Sequence, residues 1–351
     1  MVAARSRITL APPGSALSLT WPEPARVAPL ALAYSGGLDS TVLLHLLCAA
    51  AQGRLRALHI NHGLQAAADD WAAHCVEIGR TLGVEVEVLR VQVCKDGRGP
   101  EAAARDARYR ALRAALSADE VLVTAQHLHD QAETLLLNLF RGSGLRGLAG
   151  MQQWSAFAPG FLWRPLLQTP RPQLRAHAVG HDLRWIEDPH NDDPRFSRSR
   201  LRTRLWPLLE SHWPNLAQML GRSADNLAEA GAVLDEVMAA DVQALRVPED
   251  RAALSVSALR ALSPARRHLA LRAWIAGQTL PAPFRDSLCR IDTELLDAAA
   301  DRAPRVAWPG AEVRRYRDRV YAMAPLPAAV DFDLCWDGNA TLALPAGAGW
   351  L

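Results

Sequence analysis

Lysine is almost absent from this sequence of 351 residues, in which Lys95 is the only lysine among 39 basic residues. A Gly-Lys-Ser/Thr nucleotide loop is therefore excluded, and almost no lysine is available as a nucleophile or a base. The formal net charge is only +2. An anionic partner must then be bound by a local cluster of arginines, because the overall charge attracts it very little.

Cysteines are also few, and no two of them form a Cys-x-x-Cys pair. The five are Cys48, Cys75, Cys94, Cys289 and Cys335. This scatter excludes a zinc ribbon and a disulfide framework, and it favours a reduced, cytoplasmic protein. No apolar run reaches about 18 residues, and the N-terminal segment lacks the apolar core of a secretory signal, so we expect no membrane span.

Between residues 28 and 190, short apolar runs alternate with helical stretches. The predicted strands are 27–34, 55–60, 84–93 and 120–125, and the predicted helices are 40–52, 66–83, 100–117 and 130–142. This alternation predicts an α/β fold, a doubly wound parallel sheet with helices on both faces. Ligands of such sheets bind at the carboxyl ends of the strands.

The pattern changes near residue 195, where long helical stretches without strands begin. We predict five segments: an N-terminal extension (1–27), a catalytic domain (28–215), a helical linker (216–246), a smaller α+β domain (247–325) and the start of a possible further, truncated unit (326–351). The α+β domain contains a helix in PARRHLALRAWIAG and a hairpin in AEVRRYRDRVYAMA.

The stretch LALAYSGGLDSTVLLHLL, residues 30–47, places a glycine-rich turn between a buried strand and a helix. Gly36 and Gly37 permit backbone conformations that a Cβ would block. Such a turn directs several N–H groups and a helix N-terminus at one point, which makes a cradle for phosphate. A structural corner would explain a bare Gly-Gly turn, but the whole Ser-Gly-Gly-Leu-Asp-Ser string favours phosphate binding.

That string resembles the pyrophosphate loop of the N-type ATP pyrophosphatases, which have the adenine nucleotide alpha hydrolase-like fold. Four more stretches narrow the resemblance: HINHGL (59–64), EAAARDARYRAL (101–112), TAQHLHDQAETLLLNLFRGSGLRGLAGM (124–151), and RPLL with WIEDPHNDDPRFSRSRLRTRLWPLL (within 164–209). In this order they are similar to the tRNA(Ile)-lysidine synthetases. The resemblance implies that ATP adenylates the wobble cytidine of a tRNA(Ile) with a CAU anticodon. Free L-lysine then attacks it, releasing AMP and pyrophosphate.

The resemblance also implies site residues. For ATP they are Ser35, Gly36, Gly37, Leu38, Asp39, Ser40 and His62. For cytidine and lysine they are Arg141, Gly142, Ser143, Gly144, Asp188 and Asn191, and for tRNA they are Arg198 and Arg202. The catalytic set is Asp39, Asp130, Arg108 and Arg198, with Asp39 and Asp130 as the ligands of Mg²⁺.

Several of these residues have structural alternatives. Asp39 could cap the following helix, although Ser40 could do so instead. Glu133 is expected only to favour the helix dipole. Gly142 fits a helix C′ position.

For other residues the alternatives are a solvated face or a turn. Asp188 and Asn191 fit ordinary turns, and His62 fits a structural histidine. Arg105 and Arg108 share one helix face with Glu101, so a solvated face with an ion pair is the alternative, and the sequence leaves open which arginine meets phosphate. The run RFSRSRLRTR contains no acid and favours phosphate contacts over a solvated face.

Two positions depart from the family pattern. His129 stands where the family usually has the first of two aspartates, and Ser199 stands where it has asparagine after Arg198. Magnesium prefers oxygen ligands, so Asp130 is expected to supply the carboxylate and His129 to be replaceable. A transition-metal pair of His127 and His129 is the alternative.

Three other functions share parts of this pattern. A tRNA sulfur-transfer enzyme of the 2-thiocytidine type uses the same adenylation, but enzymes of that type carry Cys-x-x-Cys or other paired cysteines, and this sequence has none. A synthetase acting on a free nucleotide or amino acid would not need the arginine run. A non-catalytic tRNA-binding relative is favoured only by His129. The oligomeric state, with a homodimer among the options, stays open.

Overall fold

The computed structural model describes residues 7–9, 17–51, 53–63, 67–92, 100–188, 193, 195–299, 302, 304–325, 334, 336, 341–344 and 349–350. The chain forms two compact units, Met1–Gly231 and Ala232–Leu351. The division falls inside one long helix, so the limits expected for the catalytic domain and the linker stay predictions. No helix in the described ranges is both long and apolar enough to cross a membrane.

A six-stranded sheet forms the centre of the first unit, with strand order β5–β4–β3–β6–β8–β7. The strands of this unit are β1 (Arg7–Thr9), β2 (Ser18–Thr20), β3 (Leu30–Ala33), β4 (Leu55–Asn61), β5 (Glu85–Arg90), β6 (Val121–Val123), β7 (Trp154–Phe157) and β8 (Gly160–Trp163). Within the sheet every neighbouring pair is parallel except β7 with β8. The predicted α/β fold is therefore confirmed, with one antiparallel edge strand.

The helices of the first unit include the four that the sequence predicts, each shifted by a few residues at most. The helices of this unit are α1 (Glu23–Val27), α2 (Leu38–Ala50), α3 (Ala68–Leu82), α4 (Pro100–Ala115), α5 (Leu128–Phe140), α6 (Leu145–Leu148), α7 (Arg171–Gly180), α8 (Ser197–Arg200) and α9 (Trp206–His212). The next helix, α10 (Leu216–Leu245), spans the division between the two units. A π-helical segment, Leu201–Leu205, joins α8 to α9. The hairpin of β7 and β8 and the helix α7 were not expected from the sequence.

The central strand β3 is buried on both faces, which explains its continuous apolar run. Leu30 and Leu32 pack in one cluster with residues of α2, whereas Ala31 packs with Leu112 of α4 in another. The first cluster also contains Leu17, Leu19, Trp21 and Ala25. Residues expected to form an N-terminal extension thus pack against the sheet.

The second unit is an α+β fold, as the sequence predicts. Its antiparallel sheet has the order β11–β12–β13–β10–β9. The strands are β9 (Arg246–Val247), β10 (Asp250–Ser255), β11 (Arg305–Trp308), β12 (Ala311–Tyr316) and β13 (Arg319–Met323), and the helices are α11 (Val256–Ala261), α12 (Pro264–Ala276) and α13 (Arg285–Arg290). A short pair, β14 (Ala343–Leu344) with β15 (Gly349–Trp350), follows.

Candidate active site

The glycine-rich turn joins β3 to α2 at the carboxyl edge of the sheet. Gly36 has a φ of 80°, in the left-handed region that favours glycine. A Cβ at this position would lie 2.6 Å from Ile186 Cδ1 and 2.7 Å from Cys75 Sγ. The Ile186 N–H donates to the Gly36 carbonyl at 2.8 Å. Both the backbone conformation and the packing therefore require glycine at position 36.

The helix α2 begins without a side-chain cap. Gly37 occupies the N-cap position and caps the helix with no side chain. Its own N–H donates to Ser35 Oγ at 3.3 Å. The Ser40 hydroxyl instead donates to the Gly37 carbonyl at 3.1 Å and lies 3.0 Å from Ser35 Oγ. The capping alternatives for Asp39 and Ser40 are therefore wrong. The first N–H groups of α2 have no partner within the helix, as an anion site requires.

Asp39 and Asp130 meet at one imidazole. His127 Nε2 lies 3.6 Å from Asp39 Oδ2 and 3.5 Å from Asp130 Oδ2, and the His127 side chain is only 2% exposed. His127 is the N-cap of α5, where its Nδ1 accepts from the Asp130 N–H and Asp130 Oδ2 accepts from the His127 N–H. This reciprocal capping box directs both side chains into the site.

His127 and the two carboxylates stabilise each other's charged forms. Burial lowers the pKa of His127, but the carboxylates of Asp130 and Asp39 outweigh that effect, so its pKa is raised above the ordinary value. Burial raises the pKa of Asp39, and the hydrogen bond and charge of His127, together with Arg171, outweigh it, so that pKa is lowered. An ionised Asp39 thus faces an imidazole that holds its proton more firmly than usual.

The His129 side chain points away from the two carboxylates and toward the start of α7. Its Nδ1 accepts a hydrogen bond from the Arg171 N–H at 3.3 Å, and its ring lies 5.5 Å from that of Trp206. Burial and the neighbouring His127 lower the pKa of His129 to about 4, so the ring is neutral near pH 7. This direction agrees with the expectation that Asp130 is the site carboxylate, which stays a prediction.

The donor set fits magnesium better than a transition metal. Among the described residues no group of three or more His, Cys, Asp or Glu side chains could hold a metal ion by itself. Magnesium binds with fewer protein ligands, because one or two carboxylates commonly hold it and water and substrate phosphates complete its coordination shell. Asp39 Oδ1 is buried without a hydrogen-bond partner in the described structure. A carboxylate oxygen of that kind suits a hard cation.

Glu133 does more than favour the helix dipole, and that expectation was wrong. Its side chain is 2% exposed, and Arg202 binds it through two bonds of 2.8 and 2.9 Å. Arg202 also reaches Asp130 Oδ1 at 3.3 Å, and Arg198 Nε lies 3.4 Å from Glu133 Oε2. A buried ion-pair network therefore stands directly behind the site carboxylate.

The arginine run divides between two faces. Arg198 and Arg202, four residues apart, face α5, and Arg198 also donates to Thr134 Oγ1 at 2.7 Å. Arg200 and Arg204 are exposed. The proposed tRNA contacts of Arg198 and Arg202 stay predictions, but in the structure both guanidinium groups face a carboxylate.

The loop after α5 is a helix C-terminal motif. Gly142 has a φ of 69°, its N–H donates to the Leu139 carbonyl at 3.0 Å, and the Ser143 N–H donates to the Asn138 carbonyl at 3.0 Å. This is a Schellman motif, so the C′ position expected for Gly142 is confirmed. Arg141 and Gly144 are exposed. The substrate contacts expected of residues 141–144 stay predictions.

Two further predicted residues, His62 and Asp188, lie near the same edge of the sheet. His62 follows β4, its Nδ1 is buried without a partner in the described structure, and burial and then Arg108 lower its pKa. Asp188 lies two positions after Ile186, which pairs with Gly37. Asn191 lies outside the described residues. Roles for these residues are proposals.

A pocket of about 310 Å³ opens beside the network. Its lining combines acids, bases and apolar surface: Leu38, His129, Glu133, Arg171, Pro172, Arg175, Arg202, Trp206 and Glu210. Leu38 belongs to the first turn of α2, so this pocket adjoins the glycine-rich loop. Its volume is at the lower end of the range for small-molecule sites.

Known proteins match both units of the chain. The PP-loop domain family matches residues 18–209, and the TilS substrate binding domain family matches residues 254–321. A tRNA(Ile)-lysidine synthase of Alkalilimnicola ehrlichii is 46% identical over 329 residues, which cover 91% of this chain and 72% of that protein. The chain belongs to the tRNA(Ile)-lysidine synthase family.

Other lysidine synthases match to a similar extent. The one from Pseudomonas aeruginosa is 45% identical over 332 residues, covering 91% of this chain and 74% of that protein. The one from Escherichia coli O157:H7 is 43% identical over 323 residues, again covering 91% and 74%. The resemblance found in the sequence is thereby confirmed.

Proposed function

We propose that this chain is a tRNA(Ile)-lysidine synthase, an ATP-dependent ligase that forms a carbon–nitrogen bond between the wobble cytidine of tRNA(Ile) and lysine. One observation carries the proposal: a PP-loop domain and a TilS substrate binding domain occur together in a chain 46% identical to such a synthase. AMP and pyrophosphate are the other products. The finer parts of the proposal are the CAU anticodon, free L-lysine, Mg²⁺ and a cytoplasmic location.

The ATP phosphates are proposed to lie on the glycine-rich loop. The residues are Ser35, Gly36, Gly37, Leu38, Asp39 and Ser40, with His62 toward the adenosine. The uncapped N-terminus of α2 supports this placement, because it presents N–H donors and a positive partial charge to an anion. Asp39 and Asp130 would hold Mg²⁺, which when bound neutralises charge on the phosphates. Arg108 and Arg198 are the proposed cations for charge that develops during adenylation.

Lysine is proposed to enter beside the loop. The pocket next to Leu38 offers Arg171 and Arg175 for a carboxylate and Glu210 for an ammonium group. A zwitterion needs opposite charges of this kind at a short separation. Asp188, Asn191 and the exposed loop 141–144 are proposed to hold the cytidine and to orient the incoming amine.

The direct test is incorporation of radiolabelled lysine into a tRNA(Ile) transcript with a CAU anticodon. We expect incorporation that requires ATP and magnesium and that releases one pyrophosphate per lysine. A transcript with uridine at the wobble position is the matched control and should accept no lysine. Adenylation alone can release pyrophosphate once for each bound tRNA, so multiple turnovers that need tRNA but are not raised by lysine would instead favour a sulfur-transfer enzyme. The absence of any release would favour a non-catalytic relative.

The described thiols do not support sulfur transfer. Cys48, Cys75 and Cys289 are free, and they lie on three separate helices. Burial raises the pKa of Cys48 to about 11 and that of Cys75 to about 12, so neither is a reactive thiolate near pH 7.

Light scattering of the purified protein decides between a monomer and a homodimer.

A further inference from the structure

Arginines gather around the ring of Tyr109 on α4. The guanidinium carbon of Arg105 lies 4.9 Å from the ring centroid, and that of Arg108 lies 5.6 Å from it. Tyr109 packs edge-on against Phe157 of the β7–β8 hairpin, with 5.9 Å between ring centroids. The ring is therefore held in place by the sheet, and two cations are arranged over it.

A third guanidinium comes from the end of β8. Arg164 Nη1 donates to the Gln152 carbonyl at 2.7 Å and lies 3.4 Å from Ser155 Oγ. Its Nε is buried and has no hydrogen-bond partner in the described structure. The partners found for Arg164 are thus neutral oxygens, and one of its N–H donors is left unsatisfied at a buried position.

The charge of this group is not neutralised within the described part of the chain. No carboxylate with a described side chain forms an ion pair with Arg105, Arg108 or Arg164. Burial lowers the pKa of Arg108 most; Tyr109 opposes this, and the charges of Arg105 and Arg198 lower the pKa further. Burial also lowers the pKa of Arg164 most, with Tyr109 opposing and the charge of Arg105 adding to the effect.

Several arginines elsewhere in the same unit are paired with carboxylates. Arg56, for example, binds Glu120 and Glu87 at 2.7 Å each. A cation–π contact at an exposed site is weak, and it does not replace a counterion for three adjacent cations. With no counterion among the described side chains, such a group is suited to bind an anion.

The group also lies at the edge of the sheet where substrates bind. Arg164 directly follows β8, and β8 runs parallel to β6, which leads into His127 and Asp130. His62, which follows β4, lies close enough to Arg108 for that charge to lower its pKa. All of these positions are at the carboxyl ends of parallel strands.

We propose that Arg105 and Arg108, which lie over Tyr109, and Arg164 at the end of β8 form a phosphate-binding site in which Arg164 is a substrate-positioning residue. The planar fork of each guanidinium matches phosphate oxygens. The proposal rests on the proposed function for the identity of its ligand, which is either a phosphodiester of the tRNA backbone or a phosphate of ATP.

Binding measurements separate these two sources. We would compare wild type with Arg164→Gln and Arg105→Gln, using Arg113→Gln as the matched control. Arg113 lies on the same helix and makes a similar contact, 4.7 Å from the ring centroid of Phe157, but its partner is not part of the site. Fluorescence anisotropy across a salt series gives the affinity for tRNA, and calorimetry gives the affinity for ATP.

If the ligand is a tRNA phosphate, the slope of log affinity against log salt falls by about 0.7 for each lost contact, and ATP binding is unchanged. If it is an ATP phosphate, the dissociation constant for ATP rises about tenfold and the slope stays constant, as for one lost charged contact. Arg164→Lys should restore part of either loss.

Variants that bind both ligands like Arg113→Gln would overturn the proposal. Thermal melting checks that each variant folds, and Arg105→Gln decides the matter if Arg164→Gln does not fold, because Arg105 is exposed. These readouts do not depend on turnover. Wild-type protein that binds tRNA but incorporates no lysine would refute the proposed function and leave the phosphate site to be judged by its own data.

Discussion

Replacing Arg202 with methionine tests the buried network behind the site. The change keeps most of the side-chain volume but removes the two bonds to Glu133, whose side chain is 2% exposed. Breaking a buried pair costs about 3–5 kcal/mol, because one charge remains in a dry environment. Arg202 is 29% exposed and Arg198 still lies 3.4 Å from Glu133 Oε2. We therefore expect a smaller loss, about 2–3 kcal/mol of unfolding free energy.

The assay is urea unfolding followed by tryptophan fluorescence, with the midpoint and slope measured for each variant. Arg204→Met is the matched control, because Arg204 belongs to the same run but is exposed, and its loss should cost no more than about 0.5 kcal/mol. Adding Glu133→Gln to Arg202→Met should recover at least about 1 kcal/mol relative to the sum of the single changes, since the unpaired charge is then removed.

The reasoning is refuted if Arg202→Met unfolds at the same urea concentration as Arg204→Met. If the same variant also lowers the salt dependence of tRNA binding, the Arg202 side chain contacts phosphate and does not pair with Glu133 in solution. Loss of stability with an unchanged salt slope supports the paired arrangement.

Three further predictions follow from single positions. Gly36→Ala should lower stability by about 2 kcal/mol or more in urea unfolding and abolish pyrophosphate release, since the φ of 80° and the nearby Ile186 both oppose a Cβ. The fold should lose stability below about pH 6.5, because burial lowers the pKa of His177 to about 4 while the unfolded chain takes up the proton near 6.5. This loss should shrink in His177→Gln when unfolding is compared at pH 8 and pH 5. Asp130→Asn should lower lysine incorporation at least a hundredfold, whereas His129→Ala should keep most of it at saturating magnesium, and the opposite ranking would move the metal ligand to position 129.

The parts of the fold that local chemistry determines were open to prediction. The buried strand Leu30–Ala33 reads as a continuous apolar run because helices cover both of its faces. Gly83 and Gly142 both end helices at left-handed φ values of 70° and 69°, as their positions in the sequence indicate. The loop was predictable because two glycines, two serines and an aspartate fall within six residues between a buried strand and a helix.

The ion-pair network was not open to prediction in the same way. Glu133 and Arg202 are 69 positions apart, and their contact depends on how α5 packs against the segment that joins α8 to α9. An acid in the first turns of a helix has a sufficient local explanation, so the sequence offers no reason to look for a distant partner. One signal was available, since Arg198 and Arg202 are four residues apart and must share a face. That spacing indicates a common surface but not its charge.

At the start of α5, the direction in which a side chain points decides its contacts more than its residue type does, as His129 shows. The capping box uses positions 127 and 130, which are three apart and therefore lie on one face of the first turn of α5. Position 129 is then turned toward α7, where its ring accepts the Arg171 N–H. His129 is thus separate from the two carboxylates at His127, and its ring contacts the start of α7. Because the Arg171 Nε lies 3.9 Å from Asp39 Oδ1, any effect of residue 129 on turnover should reach the loop through Arg171 rather than through a missing metal ligand.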